Sequence, residues 1–240
     1  MSPQKYSLLF AGFMTAFLAA PVYAQAAEED QSQETEIEFS ESEELLWLQP
    51  HLEDIDKPTK LVYNFSKSGA YEEGFSDTVT LDVVKIHDDG TKSTELTFFT
   101  GHRQQKNFSE ENLKNVEGNP VLGIYMQGDV YEMNRLTEGS WRYFQRQIKF
   151  ALADDAKVED ISVEYNGKKV PAKKVSFAPY VNDDLRANFD RFADKTYELI
   201  LSEEIPGYLY KIVTVIPDNV NVDAEPLIVE ELVLAEVQPL

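Results

Sequence analysis

Cysteine is absent from all 240 residues. That excludes a disulfide framework, a thiol nucleophile, thiolate zinc sites and a lipid-bearing cysteine. Histidine is scarce: His51, His87 and His102 lie far apart and share no metal-ligand spacing, so no metal site is expected, and no cofactor. Basic residues are outnumbered, 22 against 43 acidic ones, for a formal net charge of −21. A nucleic-acid partner is therefore not expected, because such binding starts from a basic footprint. Adsorption to an anionic lipid surface is disfavoured on the same ground. Catalytic signatures are missing as well. The chain has no Gly-x-Ser-x-Gly elbow, phosphate loop, dinucleotide fingerprint or His-Glu-x-x-His. Adjacent carboxylates such as Asp154-Asp155 and Asp183-Asp184 point different ways and suit solvent or helix caps. No enzyme is expected, and a hydrolase is the weakest of the functions considered.

Long apolar runs are confined to the start. Within residues 1–24 Lys5 is the only charge, residues 8–20 form an apolar core, and Val22-Tyr23-Ala24 offers a cleavage site. Ala24-Gln25-Ala26 offers a second one. This reads as a secretory signal peptide cleaved after Ala24 or Ala26, its core too short to span a bilayer. No later stretch could span one either, so an exported, periplasmic and soluble protein is expected. Residues 28–44 then hold nine acidic residues and no basic one, and residues 25–44 read as a disordered acidic leader. Without those nine carboxylates and Lys5, residues 45–240 still carry a formal −13. They form one expected β-rich domain, long enough to bury its own core.

Within that domain strands and turns dominate. Residues 61–65 alternate, and Asp89-Gly90 joins strands over residues 78–86 and 94–100 in the clearest hairpin of the chain. Residues 101–106 are a polar, locally basic patch, read as a loop or a strand end facing water. Asn166-Gly167 joins a second hairpin, with Pro171 suggesting an edge or a bulge. A short helix is expected near residues 182–194. A last hairpin turns at Pro206-Gly207, and residues 227–237 make a final strand.

The exception is the stretch from residue 119 to 152. Its apolar run at residues 121–126 reads as a strand, Gly128 as a break, and Asp129 with Glu132 as a capping box opening a short helix. Gly139 then reads as that helix's C′ residue, and Ser140 as the N-cap of a second one. In the second helix Trp141, Phe144, Ile148, Ala151 and Leu152 share one side, and Arg142, Arg146 and Lys149 the other. Two readings stay open. In one, the aromatic side fills a core and the cations are solvated or paired. In the other, Arg142 and Arg146, with Arg135, rim an apolar cavity that takes an amphiphile with an anionic head. Trp141, Phe144 and Ile148 would then contact the ligand, with His102 and Arg103 as a further stretch of rim.

Aromatic residues make up 12% of the chain, many alternating along strands, as in a curved sheet with large inward side chains. The order of residues 61–65, 78–100, 129–152 and 197–216 resembles the lipoprotein-carrier (LolA/LolB-like) superfamily. That resemblance implies an α+β, mainly antiparallel fold: a curved half-barrel sheet with short helices packed on its concave side. It also implies a monomeric, non-enzymatic carrier or chaperone for a lipid, an amphiphile or a lipidated partner in envelope biogenesis. The alternative is an interaction subunit of an envelope complex with a fully packed core and a protein partner.

Overall fold

The computed structural model describes residues 38–240 except 102, 104, 105, 110, 112 and 222. The expected signal peptide and most of the leader lie outside the described residues. The leader was expected to run to residue 44, but the folded unit begins at Glu38. Ser40 caps a helical turn, α1 (Glu41–Glu43), in a capping box, and the chain runs on as a wider turn, Glu44–Leu48. Ser42 is buried there, its hydroxyl donating to the Leu152 carbonyl.

Nine strands follow: β1 (Thr59–Ser68), β2 (Phe75–Ile86), β3 (Lys92–Phe98), β4 (Lys106–Phe108), β5 (Lys157–Tyr165), β6 (Lys168–Phe177), β7 (Thr196–Leu201), β8 (Leu209–Ile216) and β9 (Ile228–Pro239). They form one antiparallel sheet in the order β4-β3-β2-β1-β9-β8-β7-β6-β5. The sheet is open and curved, a half-barrel, and register shifts at Val62/Tyr63, Val83/Lys85 and Ile200/Leu201 mark where single strands bend. Asn166-Gly167 forms a two-residue turn with both residues in the left-handed region, whereas the Asp89-Gly90 turn is a longer loop closed by His87 and Thr91, with Gly90 at φ +88°. Pro171 lies on β6, second from the edge, beyond the point where β7 stops pairing.

Alternation decides which face is filled. Leu61, Tyr63 and Phe65 of β1, Val79, Leu81 and Val83 of β2, and Ile228, Leu232 and Leu234 of β9 all point inward and are buried. Two helices lie on that concave side. They are α2 (Pro120–Thr137) and α3 (Trp141–Phe150), the latter extended by the wider turn Ala151–Asp155. Their place follows from topology. β4 and β5 are consecutive strands on opposite edges, so their connection must cross the full width of the bowl.

One helix replaces the strand, break and short helix expected over residues 121–137. Asn119, not Asp129, is the cap: its side chain accepts from the Val121 N–H at 3.1 Å, and Pro120 sits in the first turn, where its missing N–H is harmless. Val121, Leu122, Tyr125, Met126, Asp129, Val130 and Met133 are its buried positions, a helical and not an alternating spacing. Gly128 lies on the exposed side of the helix, which the packing of the opposite face carries through it. The left-handed residue that ends α2 is Glu138, one place before Gly139. The helix expected near residues 182–194 is two tight turns, Arg186–Asn188 and Asp190–Asp194.

Candidate functional site

The floor of the bowl carries a polar rung. Lys67 of β1 is the register partner of Glu230 in β9, Glu230 of Thr214 in β8, and Thr214 of Tyr197 in β7. Phe177 of β6 completes the row, stacked on Tyr197 with ring centroids 4.7 Å apart. Apolar side chains surround these groups on every strand, so each must find partners within the protein.

α2 supplies the other half. Tyr125, Asp129 and Glu132, at spacings of four and three, share one face of the helix and meet the rung. Asp129 is paired with Lys195, whose ammonium belongs to the segment leading into β7, and the two side chains are only 1% and 2% exposed. The Tyr197 hydroxyl donates to the other Asp129 oxygen at 2.6 Å. Glu132 binds Lys67 at 2.6 Å and Arg135 at 2.8 Å, and Lys67 also reaches Glu230 at 3.2 Å. Arg135 extends the chain of charges to Glu72 in the β1–β2 turn at 2.8 Å. Carboxylates and cations thus alternate from solvent to the centre of the molecule.

These contacts set the protonation states. Burial alone would raise the Glu132 carboxyl, but the bonds from Arg135 and Lys67 outweigh it and hold its pKa at about 2. Burial works against the Lys67 ammonium, yet Glu230 and Glu132 keep its pKa above the ordinary value. Glu230 is pushed up by burial, with Lys195 opposing and Asp129 reinforcing the shift. Burial also raises the phenols of Tyr125, Tyr180 and Tyr197, keeping them neutral donors. Among the described residues, the buried hydroxyls of Tyr125 and Tyr180 have no hydrogen bond of good geometry, although Thr214 and Glu230 border the first and Tyr197 the second.

A second cluster fixes where α2 starts. The Asn119 amide donates to the Tyr63 hydroxyl and to the Gly207 carbonyl, both at 2.9 Å. His51, buried beneath, accepts the Asn119 N–H.

The residues singled out from sequence do not converge. Phe144 and Ile148 face the interior and are buried. Trp141 is half-buried against the Tyr131 ring, 6.0 Å between centroids, with the Arg142 guanidinium 4.4 Å from its ring centre. Arg146 lies 5.2 Å over Tyr143, and Arg135 is engaged by Glu72 and Glu132. Arg103 lies 4.2 Å over Phe75, at the β2–β3 end of the bowl, and His102 is outside the described residues. The expected ring of arginines is thus dispersed, each guanidinium resting on a neighbouring ring or carboxylate. The missed group is the buried pair Asp129–Lys195. Its members are 66 residues apart, so only the helical spacing of Asp129 with Tyr125, Met126 and Met133 could have pointed to it.

Two hollows open away from the space beneath the helices. One, about 360 Å³, is a polar cleft on the outer face lined by Asn64, Ser66, Ser76, Asp77, Thr78 and Glu231. The other, also about 360 Å³, opens at the α2–α3 turn, where Tyr143, Phe144, Leu185 and Phe189 form its apolar wall. Phe144 and Phe189 continue inward to Tyr180, with ring centroids 5.3–5.9 Å apart. Among the described residues no group of histidines and carboxylates is placed to hold a metal ion. No described helix is long and apolar enough to cross a membrane.

No protein-family model matches the chain, and no curated protein does. Several solved structures are similar to it. It aligns over 83% of its length with 57% of a chain in the Pseudomonas aeruginosa MucA/MucB complex, at 13% identity and a TM-score of 0.37. It covers 97% of the Mycobacterium tuberculosis lipoprotein LppX at 10% identity and a TM-score of 0.33. It covers 93% of a LolA superfamily protein from Nitrosomonas europaea at 5% identity and a TM-score of 0.21.

Proposed function

We propose that this protein is an exported, non-enzymatic binding protein of the bacterial envelope, a monomeric carrier for an amphiphile or a lipidated partner. The half-barrel is the holder and α2 with α3 is its lid. The observation that carries the reading is the hollow at the α2–α3 turn, where the Tyr143, Phe144, Leu185 and Phe189 wall faces a polar one of Thr137, Glu138, Ser140 and Asn188. It lies at the hinge of the lid and leads onto the Phe144, Phe189 and Tyr180 rings, a continuous aromatic path into the bowl. Apolar chains are bound in such clefts. The interior is filled in the closed form, so a chain enters as the lid lifts. Phe144 and Ile148 then become part of the wall, with Trp141 at its outer margin.

Native mass spectrometry of protein purified from its own envelope tests this. Lipid released on activation is expected, together with its loss in Leu185→Glu, which places a charge in the half-exposed wall of the hollow without disturbing the core. A lipid-free protein would sink the reading. The packed interior favours a second one, an interaction subunit whose acidic surface meets a basic protein partner. That reading expects no lipid and a partner captured in a salt-sensitive manner.

A further inference from the structure

If α2 lifts to admit a chain, Asp129 goes with it and its partners do not. Lys195 and Tyr197 stand on the segment entering β7 and on β7 itself, and Tyr180 follows β6. Lys67 and Glu230 also stay on the sheet, while Glu132 leaves with the helix. Lys67 then keeps Glu230 at 3.2 Å and Glu72 at 3.4 Å, whereas Lys195 loses its bonded carboxylate. Two donors that had bonded the Asp129 carboxylate remain, the Lys195 ammonium and the Tyr197 hydroxyl at 2.6 Å, and the Tyr180 hydroxyl borders Tyr197 within the field of the same carboxylate. Tyr180 is fully buried, and its hydroxyl makes no hydrogen bond of good geometry among the described residues, so it is a donor in reserve.

We infer that the amphiphile carries an anionic group, a carboxylate or a phosphate, which takes the place of the Asp129 carboxylate against Lys195, Tyr197 and Tyr180. The inference rests on the carrier reading above and adds the class of headgroup. A buried ammonium without a counter-charge is strongly unfavourable, so an uncharged amphiphile would open the lid only against the loss of the pair. An anionic one restores it. Apolar residues could hold helix to sheet as well as an ion pair does, so the pair is not needed for stability alone. In this scheme Asp129 is an internal competitor of the ligand, which fixes the sign of its mutation.

The test is calorimetric titration of the intact protein with three probes of equal chain length: decanoate, decyl phosphate and decanamide. Wild type is expected to bind both anions about tenfold or more tighter than the amide, the worth of one charge-assisted hydrogen bond. Whichever anion binds tighter separates a carboxylate from a phosphate headgroup. Asp129→Asn is expected to bind the anions tighter still, and Lys195→Met to level all three probes. Tyr197→Phe and Tyr180→Phe change no charge. Each is expected to lower anion affinity and leave decanamide unchanged, which keeps the test readable should Lys195→Met not fold. Equal binding of all three probes to wild type, or weaker anion binding by folded Asp129→Asn, would overturn the inference and leave the carrier reading standing. Binding of no probe by wild type or Asp129→Asn would overturn both.

Discussion

The backbone N–H of Asn119 donates to Nδ1 of His51 at 3.1 Å, so the helix across the bowl begins on a neutral imidazole. A backbone N–H can only donate, which leaves Nε2 to carry the ring proton and donate to the Leu45 carbonyl at 2.7 Å. Burial lowers the His51 pKa, with the Leu45 bond opposing. The unfolded ring titrates near 6.5, so the unfolded chain takes up the proton first as pH falls. The stability His51 contributes is complete above that pH and is lost progressively below it. Urea unfolding at pH 7.5 and 5.5 is expected to show a loss in wild type that is smaller in His51→Gln. Equal losses in the two proteins would refute the assignment.

Breaking the Asp129–Lys195 pair from one side is expected to be far worse than removing both charges. Asp129→Ala leaves a buried ammonium and should destabilise the protein by about 3–5 kcal/mol. Asp129→Leu combined with Lys195→Met should lie within about 1–2 kcal/mol of wild type, on either side. A double-mutant cycle in denaturant reads the difference. Additive losses would mean that the pair does not clamp α2.

Gly207 and Gly90 both have positive φ, +77° and +88°, but only one has room for a side chain. A Cβ at Gly207 would meet Leu61 Cδ1 at 2.6 Å and Asn119 Nδ2 at 3.2 Å, whereas at Gly90 it meets open space. Gly90→Ala should therefore cost about 1 kcal/mol, for backbone strain alone. Gly207→Ala should cost about 2–3 kcal/mol, since it also disturbs the cap of α2. Thermal melts of the two variants give the comparison, and equal shifts would count against it.

Glu132 predicts a separate acid limb. Its folded pKa of about 2 lies below the ordinary 4.5, so its contribution is complete above 4.5 and is lost as pH falls toward 2. Glu132→Gln should flatten the fall in stability across that window and leave the His51 window unchanged. A fall as steep as in wild type would show that Lys67 and Arg135 do not depend on the Glu132 charge.

The sheet was legible where local chemistry dictates it. Asp89-Gly90 and Asn166-Gly167 specify their turns, and alternation along β1, β2 and β9 specifies the buried face. The inward side of α3 was legible too, because Phe144 and Ile148 obey the helical period. α2 was misread because Gly128 and Asp129 imitate a break and a cap. The feature that overrides them, Lys195 beneath Asp129, comes from a distant segment and leaves no local mark. The arginines misled for a related reason. Their number in an acidic chain suggested a shared ligand, whereas each found a ring or carboxylate nearby.

The strand that completes the sheet also sits at its midpoint. β9 lies between β1 and β8, bonded to both, so without it the first four strands and the next four are two separate arrays. A chain emerging from synthesis can assemble either array but cannot join the two until β9 arrives. Such far-separated pairing makes for slow folding. Removing β9 should therefore abolish the fold as a whole, whereas removing the three-residue edge strand β4 should cost only the packing of Phe108 and its pairing with β3.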